Sequence, residues 1–451
     1  MSNSLRKKVV KQQSRLAALD LLGTPVGSEA ESETESESSS VLGDSVLPDV
    51  DSSVLEDDIR HCVDELGEKR ASSRESALTN LSKVMRHYYC GSFFDSHSSA
   101  QEALLQLLLR LMRKPGTPEE AVLATRVIGL VFVNAGEQSE SEQESLYAMV
   151  IPYLKDVIKD STHVELKCQA IDTLATVTFA AASTSSTKGA LDYLYKILIS
   201  NANNVQPDEA ELSTQDVLLV LESTLHAYGL LYASVFGEQR GNIDDAWDEW
   251  QSAMPAHLDL LESKSKDVRV AAGENVALMY ECSHVQKKND LLEEDAQEVE
   301  ENDMSEYEEL DDLIDILQRL ANESSRRVNK QDRKEQKSAF RDILKSIQTG
   351  SRPKEKLKLG RQKFIFRGWA QILELHAFRS ILGAGLANHF ESNELVQDVF
   401  SGGLQDDDSE EEQISMDSGM DDEDDELSSV RSRKNANRAK HAKKYKDAYE
   451  Y

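Results

Sequence analysis

Residues that interrupt helices are scarce in this sequence. Its 451 residues include only 8 prolines and 21 glycines, which excludes the turn-rich spacing of a sandwich or barrel. Four cysteines, Cys62, Cys90, Cys168 and Cys282, lie far apart and form no C-x-x-C. That rules out a disulfide framework and suits free thiols in a reducing compartment. Ten histidines give no H-E-x-x-H, and no Cys/His spacing suits zinc. No run approaches the roughly 18 uninterrupted apolar residues of a membrane span; Ala103 to Met112 comes nearest, and Arg110 interrupts it. The N-terminal run MSNSLRKKVVKQQSRLAALDLL carries early charge without the apolar centre of a signal peptide. A soluble, intracellular protein with no membrane partner is expected.

Positive charge is also in deficit. Lys and Arg total 51 against 82 Asp and Glu, a net charge of -31. Such a balance disfavours non-specific nucleic-acid binding by the whole molecule and leaves that role to local basic patches. Catalytic signatures are missing too. Gly383-Ala384-Gly385 has Asn388 where a dinucleotide loop needs its third glycine, and the segment before it reads as helix rather than strand. The run GSRPKEKLKLG lacks the Gly-Lys-Ser/Thr of a P-loop, and no G-x-S-x-G elbow occurs. Carboxylates are many, but they fall in solvated tracts rather than among apolar residues that could raise a pKa. The reading is no catalytic residue, no cofactor, no metal and no small-molecule substrate.

What is abundant is amphipathic helix. Apolar spacing marks helices near 55–66, 73–89, 98–113, 118–134, 142–159, 164–181, 187–200, 214–236, 243–262 and 266–282, in pairs recurring every 40 to 50 residues. That spacing belongs to HEAT and armadillo arrays. The last pair is clearest: Asp267-Val268-Arg269-Val270-Ala271-Ala272 resembles the second helix of a HEAT repeat, with Asp at the helix start and Arg pairing along the stack. Arg74 to Leu78 with Leu81, and Lys167 to Ile171 with Leu174, follow the same pattern. The fold expected is all-α, an armadillo- or HEAT-like superhelix with a small C-terminal helical domain and disordered acidic tails.

The chain divides accordingly. Residues 1–53 form a Ser/Glu-rich tail whose segment SEAESETESESSS, residues 28–40, cannot bury surface against the entropy of ordering. It is either a solvated tail or a phosphorylation cluster for acidophilic kinases. The array occupies 54–284, an acidic linker 285–305, the C-terminal helical domain 306–400, and an acidic tract 401–427. A basic tail, 428–451, is expected to become helical when bound.

Two basic runs stand out. Between Arg326 and Arg367 there are fifteen Lys and Arg against four acids, and Phe364, Phe366 and Trp369 are interleaved with Lys363 and Arg367. That mixture suits phosphate contacts beside stacking aromatics, with Lys356, Lys358, Arg361, Lys363 and Arg367 as candidates; alternatively the aromatics are core and the cations solvate a surface. In the tail, Arg431, Arg433, Lys434, Arg438, Lys440, Lys443, Lys444 and Lys446 fall on all sides of a helix. They read as phosphate contacts, a localisation signal or a solvated end. The acidic tract before them could mask the tail or act as a spacer.

Phe340-Arg341-Asp342-Ile343-Leu344, Trp369, Leu382-Gly383-Ala384-Gly385, His389, Asn393-Glu394-Leu395 and Val399-Phe400 occur in an order and spacing that resembles the C-terminal domain of the interferon-related developmental regulator family. Gln397 and Phe366-Arg367-Gly368 depart from its pattern. The resemblance implies an armadillo-like fold without enzymatic activity, in which Trp369, Gly383, Gly385, His389, Asn393 and Phe400 are structural. It also implies a regulator of gene expression, ribosome-bound and dampening translation, or a nuclear transcriptional co-regulator. The partners expected are the ribosome, through rRNA and ribosomal proteins, or transcription-regulatory proteins. The protein is expected to be monomeric, in cytoplasm and nucleus.

Overall fold

Apolar residues three and four apart produce a succession of antiparallel helix pairs in the computed structural model, which describes residues 39–40, 52–95, 99–135, 138–208, 211–237, 243–293, 310–322, 330–359 and 362–401. The basic tail and the acidic tract before it lie outside the described residues. Contacts gather residues 1–405 into one unit and 406–451 into another.

The first pair is α1 (Ser52–Glu65) and α2 (Ala71–His87), followed by a short α3 (Gly91–Asp95). Next come α4 (Ala100–Arg113) with α5 (Pro118–Val133), α6 (Glu140–Asp160) with α7 (Val164–Ala181), and α8 (Thr184–Ile199) with α9 (Thr214–Phe236). The pair α10 (Ile243–Leu261) and α11 (Lys266–Glu293) precedes α12 (Leu310–Asn322) and α13 (Lys330–Thr349). Second members pack in succession, α2 on α5, α5 on α7, α7 on α9, α9 on α11 and α11 on α13. The stack therefore does not stop at residue 284. The basic helix α13 joins it because Phe340 and Ile343 are fully buried against α11, where Gly273 lets them approach.

Burial pattern follows position in the stack. Helix α5 buries all but one residue from Glu120 to Val133, as expected of a helix apolar all round. Helix α9 is long and apolar enough to cross a membrane by length and composition. It packs instead among α7, α8, α11 and a later helix, so burial accounts for its character. Capping side chains fix several starts: Ser139 and Glu142 form a reciprocal capping box at α6, and Thr117, before Pro118, accepts from Glu120 N at α5.

One basic side chain recurs at the fourth residue of a second helix, where it closes the turn behind it. Arg74 donates to the carbonyls of Glu68 and Lys69, both at 2.9 Å, and pairs with buried Glu120 on α5. Arg269 donates to Ser263 and Lys264 at 2.8 and 3.2 Å and to Gln336 on α13 at 2.6 Å. Lys167 does the same with no exposed surface, donating to the carbonyls of Ile158, Lys159 (3.2 Å) and Val205 (2.9 Å). Burial lowers its ammonium pKa to about 8, so it stays largely protonated near neutrality.

After α13 the chain departs from helix. Strand β2 (Lys354–Leu359) pairs antiparallel with β3 (Gln362–Arg367), and a two-residue β1 (Ser39–Ser40) lies parallel beside β2. The C-terminal segment 306–400, expected to be a helical domain, thus includes a hairpin, because Leu357, Phe364 and Phe366 alternate with cations at the period of a half-buried strand. Likewise Ser39 and Ser40, expected to be unstructured, are paired, since the edge of β2 offers them backbone partners. Helices α14 (Trp369–Leu382), α15 (Leu386–Ser392) and α16 (Glu394–Phe400) follow, with a 3-10 turn at Gly383–Gly385.

Replacing Lys167 with Met keeps the apolar stem but strands three buried carbonyls. Denaturant unfolding should show a loss of roughly 2 to 4 kcal/mol, whereas the exposed Lys196→Met should be near neutral.

Candidate nucleic-acid interface and the strap that seats it

From Trp369 onward the chain folds back along the row of second helices as a strap. Helix α14 lies on α9 and α11, while the Gly383–Gly385 turn and α15 reach α2. A carboxylate starts it: Glu281 of α11 accepts from Trp369 N at 2.8 Å, capping α14 where Gly368 takes φ +89°. The Trp369 indole donates to Ser346 Oγ at 2.9 Å.

At its far end the strap closes helix C-termini, whose last carbonyls have no intrahelical donors. Met85, Arg86 and His87 end α2, and Val133 ends α5. Asn388 Nδ2 donates to His87 O at 2.9 Å, and Asn393 Nδ2 to Val133 O at 2.8 Å. His389, with no exposed surface, sits 3.0 Å from Met85 O through Nε2 and 3.1 Å from Asn393 Nδ2 through Nδ1. A carbonyl on one side and an amide donor on the other fix the neutral tautomer, with Nε2 protonated. Burial agrees, lowering this imidazole to about 4. In return Arg86 Nε donates to Ile381 O at 3.0 Å. Gly383 takes φ +56°, and a Cβ on Gly385 would come within 1.9 Å of the Arg86 carbonyl oxygen. Arg86 and Asn388 were not foreseen from the sequence, because neither stands in a recognisable pattern.

The strap also holds the hairpin. Phe364 meets Phe390 edge-on at 4.7 Å between ring centres, and Phe366 meets Phe400 at 5.3 Å. Both hairpin phenylalanines are buried, as is Phe400, so these rings are core and do not offer faces to nucleobases. Glu355, also inward, is bonded by His376 at 2.8 Å and by Arg379. Although burial acts to raise its carboxyl pKa, those two partners outweigh it and hold the group low.

Cations take the opposite face. Lys354, Lys356, Lys358 and Arg367 are exposed, and the register sets Lys354 opposite Arg367 and Lys358 opposite Lys363. Like charges directly across a ladder are destabilising. Arg361 lies outside the described residues, as do Arg431, Arg433, Lys434, Arg438, Lys440, Lys443, Lys444 and Lys446 of the tail.

Sequence reasoning missed a second feature. A cavity of about 280 Å³ opens between α7, α9, α11 and α14, walled by Asp172, Glu222, His226, Glu274 and His376. The three acids each occupy the ninth residue of their helix, a repeat-spaced signal visible once the helix starts are known. Asp172 keeps open surface on the cavity, yet the surrounding walls and Glu222 push its carboxyl up to about 7. Burial raises Glu222 and Glu274 as well. Not all carboxylates, then, lie in solvated tracts. Among the described residues, no cluster of metal-ligating side chains could hold an ion.

Two outcomes follow from the strap. Gly385→Ala should cost about 3 kcal/mol and make Trp369–Phe400 the first segment cut in limited proteolysis. His87, His257 and His389 are each lowered to about 4, mainly by burial. Unfolded histidine binds a proton near pH 6.5, so stability is full above that value and lost as pH falls toward 4. Linkage gives a loss of about 2 kcal/mol per group at pH 5. Asp172 acts in the opposite sense over the same window, weakened by its open surface. Thermal unfolding should show net destabilisation from pH 7 to 5, and His389→Gln should flatten that slope.

Comparison with known proteins covers most of the chain. Residues 26–348 match the family described as Interferon-related developmental regulator, a range that takes in the helical array and, of the motifs that carry the resemblance in the sequence, Phe340 to Leu344. Interferon-related developmental regulator 2 of Mus musculus is 28% identical over 349 residues, covering 77% of this chain and 73% of its own. Interferon-related developmental regulator 1 of Homo sapiens is 24% identical over 351 residues, 77% and 71% of the two chains. An uncharacterized protein of Schizosaccharomyces pombe is 25% identical over 354 residues, 76% and 73%. With the family matched over the greater part of its length, this chain belongs to the interferon-related developmental regulators, a family of regulatory proteins.

Proposed function

We propose that this protein is a non-catalytic regulator of gene expression that docks on ribosomes through rRNA phosphates and dampens translation, acting as a monomer in cytoplasm and nucleus. The observation that carries the reading is the hairpin's outer face, where Lys354, Lys356, Lys358 and Arg367 stand exposed on a protein of net charge -31. Because Phe364 and Phe366 are packed inward, that face has cations without stacking rings. Binding of this kind follows the phosphate backbone, is insensitive to sequence and weakens steeply with salt. The basic tail, Arg431 to Lys446, supplies eight further cations for an RNA-lined channel.

Sucrose-gradient sedimentation of lysate tests this. Full-length protein should travel with ribosomes at low salt and leave them at high salt. Deleting 428–451, or changing Lys354, Lys356, Lys358 and Arg367 to Gln, should weaken the association. The four-Gln variant should also flatten the log-log salt dependence by about 3. Protein that stays at the top of the gradient at low salt would overturn the reading and favour a nuclear adaptor that recruits transcription-regulatory proteins.

A further inference from the structure

The outer edge of β2 is taken by the chain itself. Ser39 lies beside Lys356 and Ser40 beside Leu357 in parallel register, although these serines close an acidic segment otherwise unlike a strand former. We infer that the edge of β2 is a docking site for an extended acidic peptide, filled in cis by residues 28–40, which thereby cover the basic face.

The two segments share a phase. In β2 the cations stand at Lys354, Lys356 and Lys358, alternating with buried Glu355 and Leu357. In the acidic segment the glutamates stand at Glu29, Glu31, Glu33, Glu35 and Glu37, also every second residue. Side chains on paired strands share a face when their residues are opposite, and each strand returns to that face with period two. Continuing the observed register back from Ser39 sets Glu37 opposite Lys354 and Glu35 opposite Arg352. Both then fall on the cationic side. A slip of one residue would send both to the apolar side, so charge selects this register over its neighbours.

The pairing also offsets a charge repulsion in the hairpin and an exposed strand edge. Lys354 stands opposite Arg367 across the ladder, and the Glu37 carboxylate, brought beside Lys354 on the other edge of β2, relieves that repulsion. An open edge strand invites pairing with another chain, and a strand from the same chain blocks it at high effective concentration. RNA and the acidic segment would then compete for one set of lysines. That competition rests on the ribosome reading above; the docking does not.

Disulfide trapping in the full-length chain, with Cys168→Ser to remove the partly exposed thiol, tests the docking without any RNA. Ser39→Cys with Lys356→Cys should crosslink under mild oxidation about tenfold faster than Ser45→Cys with Lys356→Cys. Adding Glu35→Lys and Glu37→Lys should slow the first pair severalfold, as should raised salt. Equal rates for the two cysteine pairs, or a first pair indifferent to charge and salt, would overturn the docking. A second arm measures binding of polyuridine at low salt. Changing the five glutamates to Gln should tighten binding about three- to tenfold, and the gain should vanish when Lys354, Lys356 and Lys358 are Gln. Crosslinking without that gain would leave the docked segment and overturn the competition. Failure to sediment with ribosomes would leave the crosslinking result untouched.

Discussion

Two backbone carbonyls, Met85 O and Val133 O, decide how this fold closes on itself. Each sits at the C-terminal end of a second helix, where no intrahelical donor is left. Met85 O has one donor within the array, Asn134 Nδ2 at 3.0 Å, and on an open array water would satisfy what remains. Here the strap covers them, and a buried acceptor left bare costs about 1 to 3 kcal/mol. His389 and Asn393 supply the donors at 3.0 and 2.8 Å. Everything else at that end follows from the need to bring those side chains in. Gly385 must lack a Cβ to pass the Arg86 carbonyl, Gly383 must adopt positive φ, and His389 must remain neutral to accept from Asn393 while donating to Met85.

Closure changes the thermodynamics of the array. An open stack of repeats is held by nearest-neighbour interfaces, so its ends can fray independently. Here Glu281 of α11 caps the start of the strap and Met85 of α2 receives its far end. The first and fifth pairs are thereby coupled through one covalent segment, and loss of either anchor weakens contacts nearly three hundred residues away in sequence. Within the stack, Arg74, Lys167 and Arg269 do a local job, each tying a second helix to the turn before it. Local cations fix the shape of each pair, and the strap fixes the ensemble.

The array was legible because its signal is periodic. Leu78 and Leu81 in α2, and Ile171 and Leu174 in α7, lie on one face at helical spacing and are all fully buried. The Asp-Val-Arg opening of α11 gave away Arg269 for the same reason: its role depends on position in the helix, which sequence records. The hairpin was half legible, since Leu357, Phe364 and Phe366 alternate, but alternation alone did not say whether the phenylalanines face inward or outward. Phe390 and Phe400, which decide it, come from helices downstream. The strap's route was not legible at all. Arg86 and Ile381, or Asn393 and Val133, are joined by tertiary geometry that leaves no spacing rule behind. Asp172, Glu222 and Glu274 form an intermediate case, periodic but at a repeat length that becomes visible only when helix starts are known.

The strap also constrains where partners can bind. Helical-repeat proteins commonly offer the surface of their stacked helices, yet α14 already lies on α9 and α11, and α15 on α2. A partner for that surface would have to displace Phe378 from Phe179 and His389 from Met85, against a large buried area. The hairpin presents a different situation. Its apolar side is used up in holding the strap, through Phe364, Phe366 and the bonded Glu355. Its other side carries the exposed cations Lys354, Lys356, Lys358 and Arg367. Apolar packing and exposed cations thus occupy opposite faces of the same two strands. That separation is what an anion-binding surface needs if its occupancy, by RNA or by the chain's own acidic segment, is to change while the fold does not.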